Sequence, residues 1–207
     1  MIEEPMAHTI SRATGVLGDA SGAYEKRLAD LEGVYADAAA FAAMDGGRVV
    51  YRVEDVRPAV APGGLIFGTT MMEPGRVGDE FFLTRGHLHA LPDRPETYRG
   101  ESGRGVMLLE SPEGETRTLE IGPDILVYVP PFWIHRSVNI GRTPLVMSFA
   151  YPADSGQDYD IIERAGGMAQ RVVAASDDGW RMIPNTAYRP RTRTEIDAVY
   201  ECERNAA

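Results

Sequence analysis

Hydrophobic and polar positions follow two different rhythms along this chain. Between Ala20 and Met44, Leu28, Leu31, Tyr35 and Phe41 recur at roughly helical spacing in an Ala-rich stretch, and Gly46-Gly47 would stop it. That pattern predicts a helical arm, with Gly33 leaving room for two short pieces instead of one. From Arg48 onward the texture changes. VVYRV, LIFGTTMM, EFFLTRGHLH, GVMLLES, TRTLEI, ILVYVP, HRSVNI and LVMSFAY are short segments rich in β-branched, aromatic and aliphatic residues. They are punctuated by EPGRVG, SPEGE, GPD and GRTP, which are turn compositions. About eight strands at such spacing predict a closed or two-sheet all-β barrel, because no long amphipathic segments intervene to build parallel crossovers. Beyond Tyr151 the chain becomes polar and irregular. A short helix is predicted over 159–165, a strand over 169–174, and an exposed helix or frayed end from Thr194. The expected organisation is an N-terminal arm (1–47), a β-barrel (48–152) and a C-terminal flap and tail (153–207).

Composition narrows the partners. The 207 residues suffice for one domain with a real core and no staples. With 21 Lys+Arg against 31 Asp+Glu the formal charge is −10, which argues against nucleic acid, whose binding rests on many cation–phosphate contacts. No run approaches the roughly 20 apolar residues of a membrane span. The first ten residues, MIEEPMAHTI, lack the basic-then-apolar pattern of a signal peptide, and the lone Cys202 leaves no disulfide framework. A cytoplasmic protein is expected. Small β-barrels often cover sheet faces or edges by pairing, so a homodimer reinforced by the arm is expected as well.

With only four histidines in the chain, their spacing carries the chemistry. In GHLHALPDRPETY (86–98), His87 and His89 are two apart, which on a strand points both imidazoles to one face. Glu96 follows a Pro-bearing loop and can return a carboxylate to the same place. His135, in VPPFWIHRSVN, sits on a neighbouring predicted strand. Three imidazoles and one carboxylate match what a divalent first-row ion accepts; the bland alternative is three unrelated histidines satisfied within a barrel. His8 has no assigned role.

These residues resemble the two cupin motifs: His-x-His with a later Glu and Gly103, then Pro130, His135 and Asn139. The match has gaps, since the loop between His89 and Glu96 is long, and Phe132 and Asp124 stand where the second motif usually has Gly. The resemblance is closer to the cupin-type (archaeal-type) metal-dependent glucose-6-phosphate isomerases. It covers most of the chain: ATGVLGDA and LADLEGVYAD in the arm, TTMMEPGRVGDEFFLTRGHLHALPDRPETY and GRGVMLLESPEGE in the core, then YVPPFWIHRSVNIGRTPL and YPADSGQDY. The long His89–Glu96 loop is a hallmark of that family.

The resemblance implies a cupin fold, a double-stranded β-helix or jelly-roll barrel with a helical arm and a short C-terminal extension. It also implies interconversion of glucose 6-phosphate and fructose 6-phosphate, a step of glycolysis and gluconeogenesis. One divalent ion per subunit would be held by His87, His89, Glu96 and His135; Fe2+ is the first expectation, with Mn2+, Ni2+, Co2+ or Zn2+ also accommodated. The phosphorylated hexose would meet Thr70, Thr84, Gly86, Tyr98, Tyr151 and Tyr159, with Tyr51 nearby. Gln157 would join them, standing where relatives commonly carry His, while Leu91 replaces a frequent Lys. Glu96 is the candidate base for a cis-enediol route and Tyr151 a proton shuttle; a metal-assisted hydride shift is the alternative, with Glu96 only a ligand. Three rival readings keep the same shell: an isomerase that also accepts mannose 6-phosphate, a non-catalytic sugar-phosphate-binding cupin, and an Fe(II) oxygenase.

Overall fold

A computed structural model describes residues 4–57, 63–175 and 179–201; Cys202 lies outside them. Period-two alternation shapes the largest layer. It contains β1 (Gly22–Arg27), β2 (Val49–Val56) and β3 (Leu65–Met72). A second layer-forming pair of segments, β4 (Arg76–Val77) and β5 (Glu80–Phe81), precedes β6 (Glu96–Ser102), β7 (Gly105–Glu110) and β8 (Thr116–Ile121). Then come β9 (Leu126–Val129), β10 (Ile134–Asn139) and β11 (Leu145–Pro152), and finally β12 (Gln170–Ala174) and β13 (Trp180–Pro184). The six-stranded sheet runs β1-β2-β3-β11-β6-β9, a second sheet β10-β7-β8, and a third β13-β12-β5-β4. Every strand pairing within them is antiparallel. This is the expected all-β cupin barrel.

The inner face of the large sheet follows from register. Gly68 lies opposite Asp55 and Phe149, and Phe149 opposite Tyr98. Residues two positions away in each strand therefore share that face, including Tyr51, Val53, Thr70, Tyr151 and Glu96. The wall opposite is β7 and β10, buried along their whole length. Between the two lie Met72, Met107, Leu109 and Met147, all at most 2 % exposed, while Val106, Leu108, Ile134 and Val138 pack on the far face of the wall beside Arg136.

Three sequence expectations change. The arm is not a helix: Gly22–Arg27 forms β1, followed by a 3-10 turn at Leu28–Leu31 and a five-residue helix, α1 (Ala38–Ala42). Leu28 and Leu31 are fully buried, and β1 pairs along its length with β2. Those tertiary contacts override the helical spacing, and Gly33, at φ +78°, separates the pieces. β1 is thus committed to a sheet of its own chain. Next, EFFLTRGHLH is not one strand. Only Glu80–Phe81 is regular; beyond it Leu83 bridges Val138 and His87 bridges His135, with Gly86 at φ +77° between them. Lastly, β6 and β13 were not foreseen, because ETYRGES and WRMIP carry too little apolar alternation.

The C-terminal segment matches expectation more closely. Asp160–Arg164 forms α2 and Arg193–Glu201 forms α3. Thr192 and Glu195 cap α3 reciprocally, with the Glu195 carboxylate accepting the Thr192 N–H at 2.7 Å. Arg191 then fixes the segment to β7 by a 2.7 Å ion pair with Glu110, both side chains nearly inaccessible.

Candidate metal centre and cavity

Four side chains converge inside the barrel. One ligand atom from each of His87, His89, Glu96 and His135 lies within 4.8 Å of all the others, and all four residues sit in buried surroundings or nearly so. Glu96 Oε2 is 3.0 Å from His135 Nε2, 3.3 Å from His89 Nε2 and 3.7 Å from His87 Nε2. The backbone sets this up. His87 and His135 exchange N–H···O bonds at 3.1 and 3.0 Å, and Glu96 starts β6 directly across from them. The loop 90–95 supplies the missing turn: His89 Nδ1 donates to the Arg94 carbonyl at 2.7 Å. His135 Nδ1 donates likewise to the Trp133 carbonyl at 3.0 Å. A carbonyl only accepts, so both rings carry their proton on Nδ1 and turn a lone pair on Nε2 toward the centre.

Electrostatics agree with a cation site. Burial and the neighbouring His135 push His87 well below the ordinary imidazole range, so it is neutral. Burial raises the Glu96 carboxyl, but the imidazoles of His135 and His89, whose Nε2 atoms lie 3.0 and 3.3 Å away, outweigh it and hold the group below the usual carboxylate range. His87 Nε2 and His89 Nε2 are buried with no hydrogen-bond partner. Buried orphans of that kind cost about 1–3 kcal/mol each, which a bound cation would offset. The donor set fits a divalent first-row ion.

The second motif shows why its departures are tolerated. Phe132 and Asp124, standing in for Gly, both adopt positive φ, +70° and +64°. Phe132 is held there by its N–H donating to the Pro92 carbonyl at 2.6 Å and by a tilted ring contact with Tyr200, centroids 5.1 Å apart. Asn139 is structural: its amide donates to the carbonyls of Met72 and Thr143, each at 3.0 Å.

A cavity of about 320 Å³ opens over the centre, and His87, Glu96 and His135 form its floor. His89 is not on this surface; it borders a smaller cavity beneath α3. The predicted Tyr51, Thr70, Thr84, Gly86, Tyr98, Tyr151, Gln157 and Tyr159 all line the main cavity. Thr84 Oγ1 accepts the Ser137 N–H at 3.0 Å, which leaves its O–H free to donate inward. The Tyr159 hydroxyl donates to the Gln157 side chain. Burial pushes Tyr51 and Tyr151 up to about 12 and, with Glu96 alongside, Tyr98 well above its usual value, so these phenols are neutral donors. Leu91 does not line this cavity. Arg85 points away, stacked 4.6 Å over the Tyr159 ring and paired with Glu163.

Sequence reasoning missed several wall residues. Tyr24, Glu25 and Lys26 reach the cavity from β1, hidden by the helical reading of the arm. Asp55 and Arg57, joined at 2.7 Å, continue the period that starts at Tyr51, and Ser137 is two residues from His135 on the same strand. Both could have been found by extending the alternation.

Barrel and centre together define a cupin whose His87, His89, Glu96 and His135 could hold a metal ion. The glucose-6-phosphate isomerase (GPI) family model matches residues 25–190. Glucose-6-phosphate isomerase of Sinorhizobium medicae is 54% identical over 204 residues, covering 97% of this chain and 95% of that protein. The enzymes of Thermococcus kodakarensis and Pyrococcus furiosus are 40% and 42% identical, over 90% and 91% of this chain and 98% and 100% of theirs. The chain belongs to the glucose-6-phosphate isomerase family.

Proposed function

We propose that the protein is a metal-dependent aldose–ketose isomerase that interconverts glucose 6-phosphate and fructose 6-phosphate, at the entry to glycolysis and in gluconeogenesis. The observation that carries this is the His₃Glu centre at the floor of a hydroxyl-lined cavity, in a chain of this family. His87, His89, Glu96 and His135 would hold one divalent ion, Fe2+ first among the candidates, which supplies Lewis acidity toward a carbonyl and its neighbouring hydroxyl.

The chain's own residues do the rest. Thr70, Thr84, Tyr51 and the Gly86 backbone offer neutral donors for a phosphate, and Tyr98, Gln157 and Tyr159 border the sugar. The reaction moves hydrogen from C2 to C1 and a proton from O2 to O1. A carboxylate held as low as Glu96 is a weak base. That favours Glu96 as a ligand, with hydrogen passing directly between the carbons with its electron pair. Tyr151, a neutral phenol, then relays the proton between oxygens. Repeated turnover in D₂O is expected to leave C2 essentially unlabelled; label accumulating at C2 would assign Glu96 the base role instead.

The function is tested by metal-stripped protein to which each ion is returned, with glucose 6-phosphate read from fructose 6-phosphate by a coupled assay. His87→Ala and His135→Ala should fold, lose bound metal and fall by at least about a thousandfold. No turnover with any ion would sink the reading. We also propose a cytoplasmic homodimer. Leu65, Leu126 and Tyr128 stand 52%, 68% and 53% exposed on the outer face of the six-stranded sheet, which a second copy would cover. Light scattering on the eluting peak should give twice the chain mass.

A further inference from the structure

Arg136 is out of balance with its surroundings. It follows His135 on β10, and its side chain leaves the main cavity and faces a second one of about 630 Å³ behind the wall. It is 6% exposed, and its Nε is buried without a hydrogen-bond partner. The two carboxylates that act on it most, Glu80 and Glu110, are already committed, to Arg171 at 2.9 Å and Arg191 at 2.7 Å. Among the described residues no carboxylate pairs with Arg136. A guanidinium without a counter-ion in such a place is costly to bury, so the fold gains something from it.

Its position says what. Arg136 Nη2 donates to the Arg85 carbonyl at 2.6 Å. The next residue, Gly86, lies so close that a Cβ there would sit 2.9 Å from Arg136 Cβ and 3.0 Å from its Nε. The guanidinium thus backs the Thr84–Gly86 segment from one side, while the Thr84 hydroxyl and Gly86 face the cavity on the other. Besides Arg136, the cations near this cavity among the described residues are Arg57, spent on Asp55, Arg85, stacked over Tyr159 and paired with Glu163, and Lys26, half-buried on β1.

We infer that Arg136 is a positioning residue for the substrate's phosphate: it fixes the Thr84–Gly86 segment and sets a buried positive charge behind it, with the incoming dianion as its counter-ion. A fixed cation in low-dielectric surroundings acts through a thin backbone layer more strongly than a solvated one would. The dianion therefore needs no direct contact with a basic side chain. This inference rests on the proposed phosphate-bearing substrate.

The test separates charge from hydrogen bonding. Arg136→Gln keeps a donor for the Arg85 carbonyl and loses the charge, while Arg136→Lys keeps the charge. In Arg136→Gln, KM for fructose 6-phosphate and the Kd of inorganic phosphate for metal-free protein should both rise at least about tenfold, with kcat within about threefold. Arg136→Lys should restore most of that loss. A fall in kcat at constant KM overturns the inference and makes Arg136 a support of the His135 strand. So does an unchanged phosphate affinity in folded Arg136→Gln, or a loss seen in Lys26→Met alone. If Arg136→Gln does not fold, Arg136→Lys decides: phosphate affinity should stay within about threefold of the wild type, and a tenfold loss refutes the charge role. Because phosphate binding needs neither metal nor turnover, it can succeed where the isomerase reading fails, and the reverse.

Discussion

Tyr151 carries the heaviest demand of any single side chain. It lies on β11 with its ring 5.6 Å from that of His89, and burial keeps its phenol protonated up to about 12. Its neutral phenol can give a proton to one substrate oxygen while accepting one from its neighbour, and the phosphate is assigned instead to Thr70, Thr84, Tyr51 and Gly86. Tyr151→Phe is therefore expected to lower kcat by about a hundredfold and to leave KM within a few-fold, which steady-state kinetics on the metal-loaded protein will show. An equal loss in KM would move Tyr151 to the binding residues. At this scale the centre was legible in sequence because its ligands are chemically rare: three of four histidines and one carboxylate after a fixed loop. Arg136 was not legible. An arginine next to a ligand looks like an ordinary exposed strand residue until the partners of Glu80 and Glu110 are known.

Elements place these residues, and their placement depends on a few non-repeating contacts. The segment 82–89 bridges β10 rather than forming a full ladder, and its bend at Gly86 requires both φ +77° and the absence of a Cβ. Gly86→Ala should cost about 1–3 kcal/mol and displace Thr84, so denaturant unfolding and KM for fructose 6-phosphate should both change. The C-terminal segment is tied down differently. Breaking the Arg191–Glu110 pair leaves a fully buried carboxylate without its cation. Arg191→Met is expected to destabilise by about 3–5 kcal/mol, and increased proteolysis within α3 would place the loss there. The strands of the barrel were readable because their apolar residues alternate against Pro and Gly turns. β1 was not, because its pairing with β2 is a contact between residues some 30 apart, such as Gly22 with Asp55, and local spacing carries no record of it. β6 escaped for a related reason: its inner face is Glu96, Tyr98 and Gly100, a functional row rather than a hydrophobic one.

Across the whole molecule, the acidic balance of −10 and an anionic substrate are compatible because the field that matters is local. In the proposed arrangement neutral hydroxyls and one backbone turn would face the phosphate, with a buried guanidinium behind that turn, while Asp55, Glu80 and Glu110 are spent on arginines. The metal centre joins the two layers: Glu96 comes from the six-stranded sheet, His135 from the opposite wall, and His87 and His89 from the segment that bridges it. A cation bound there ties the layers together at their most polar point, in place of two orphaned imidazole nitrogens. Since an ion would bind the folded centre and not the unfolded chain, saturation at about a thousand times its Kd would contribute about 4 kcal/mol. For a domain of this size that corresponds to about 8–16 °C in Tm. Chelator-treated protein should melt lower by that amount and recover when Mn2+, Fe2+, Co2+ or Ni2+ is returned, with larger recoveries along that order. His87→Ala should melt near the chelated wild type and gain little from any ion. A melting temperature indifferent to chelation in a protein shown to contain metal would mean that the two layers are held by their apolar contacts alone.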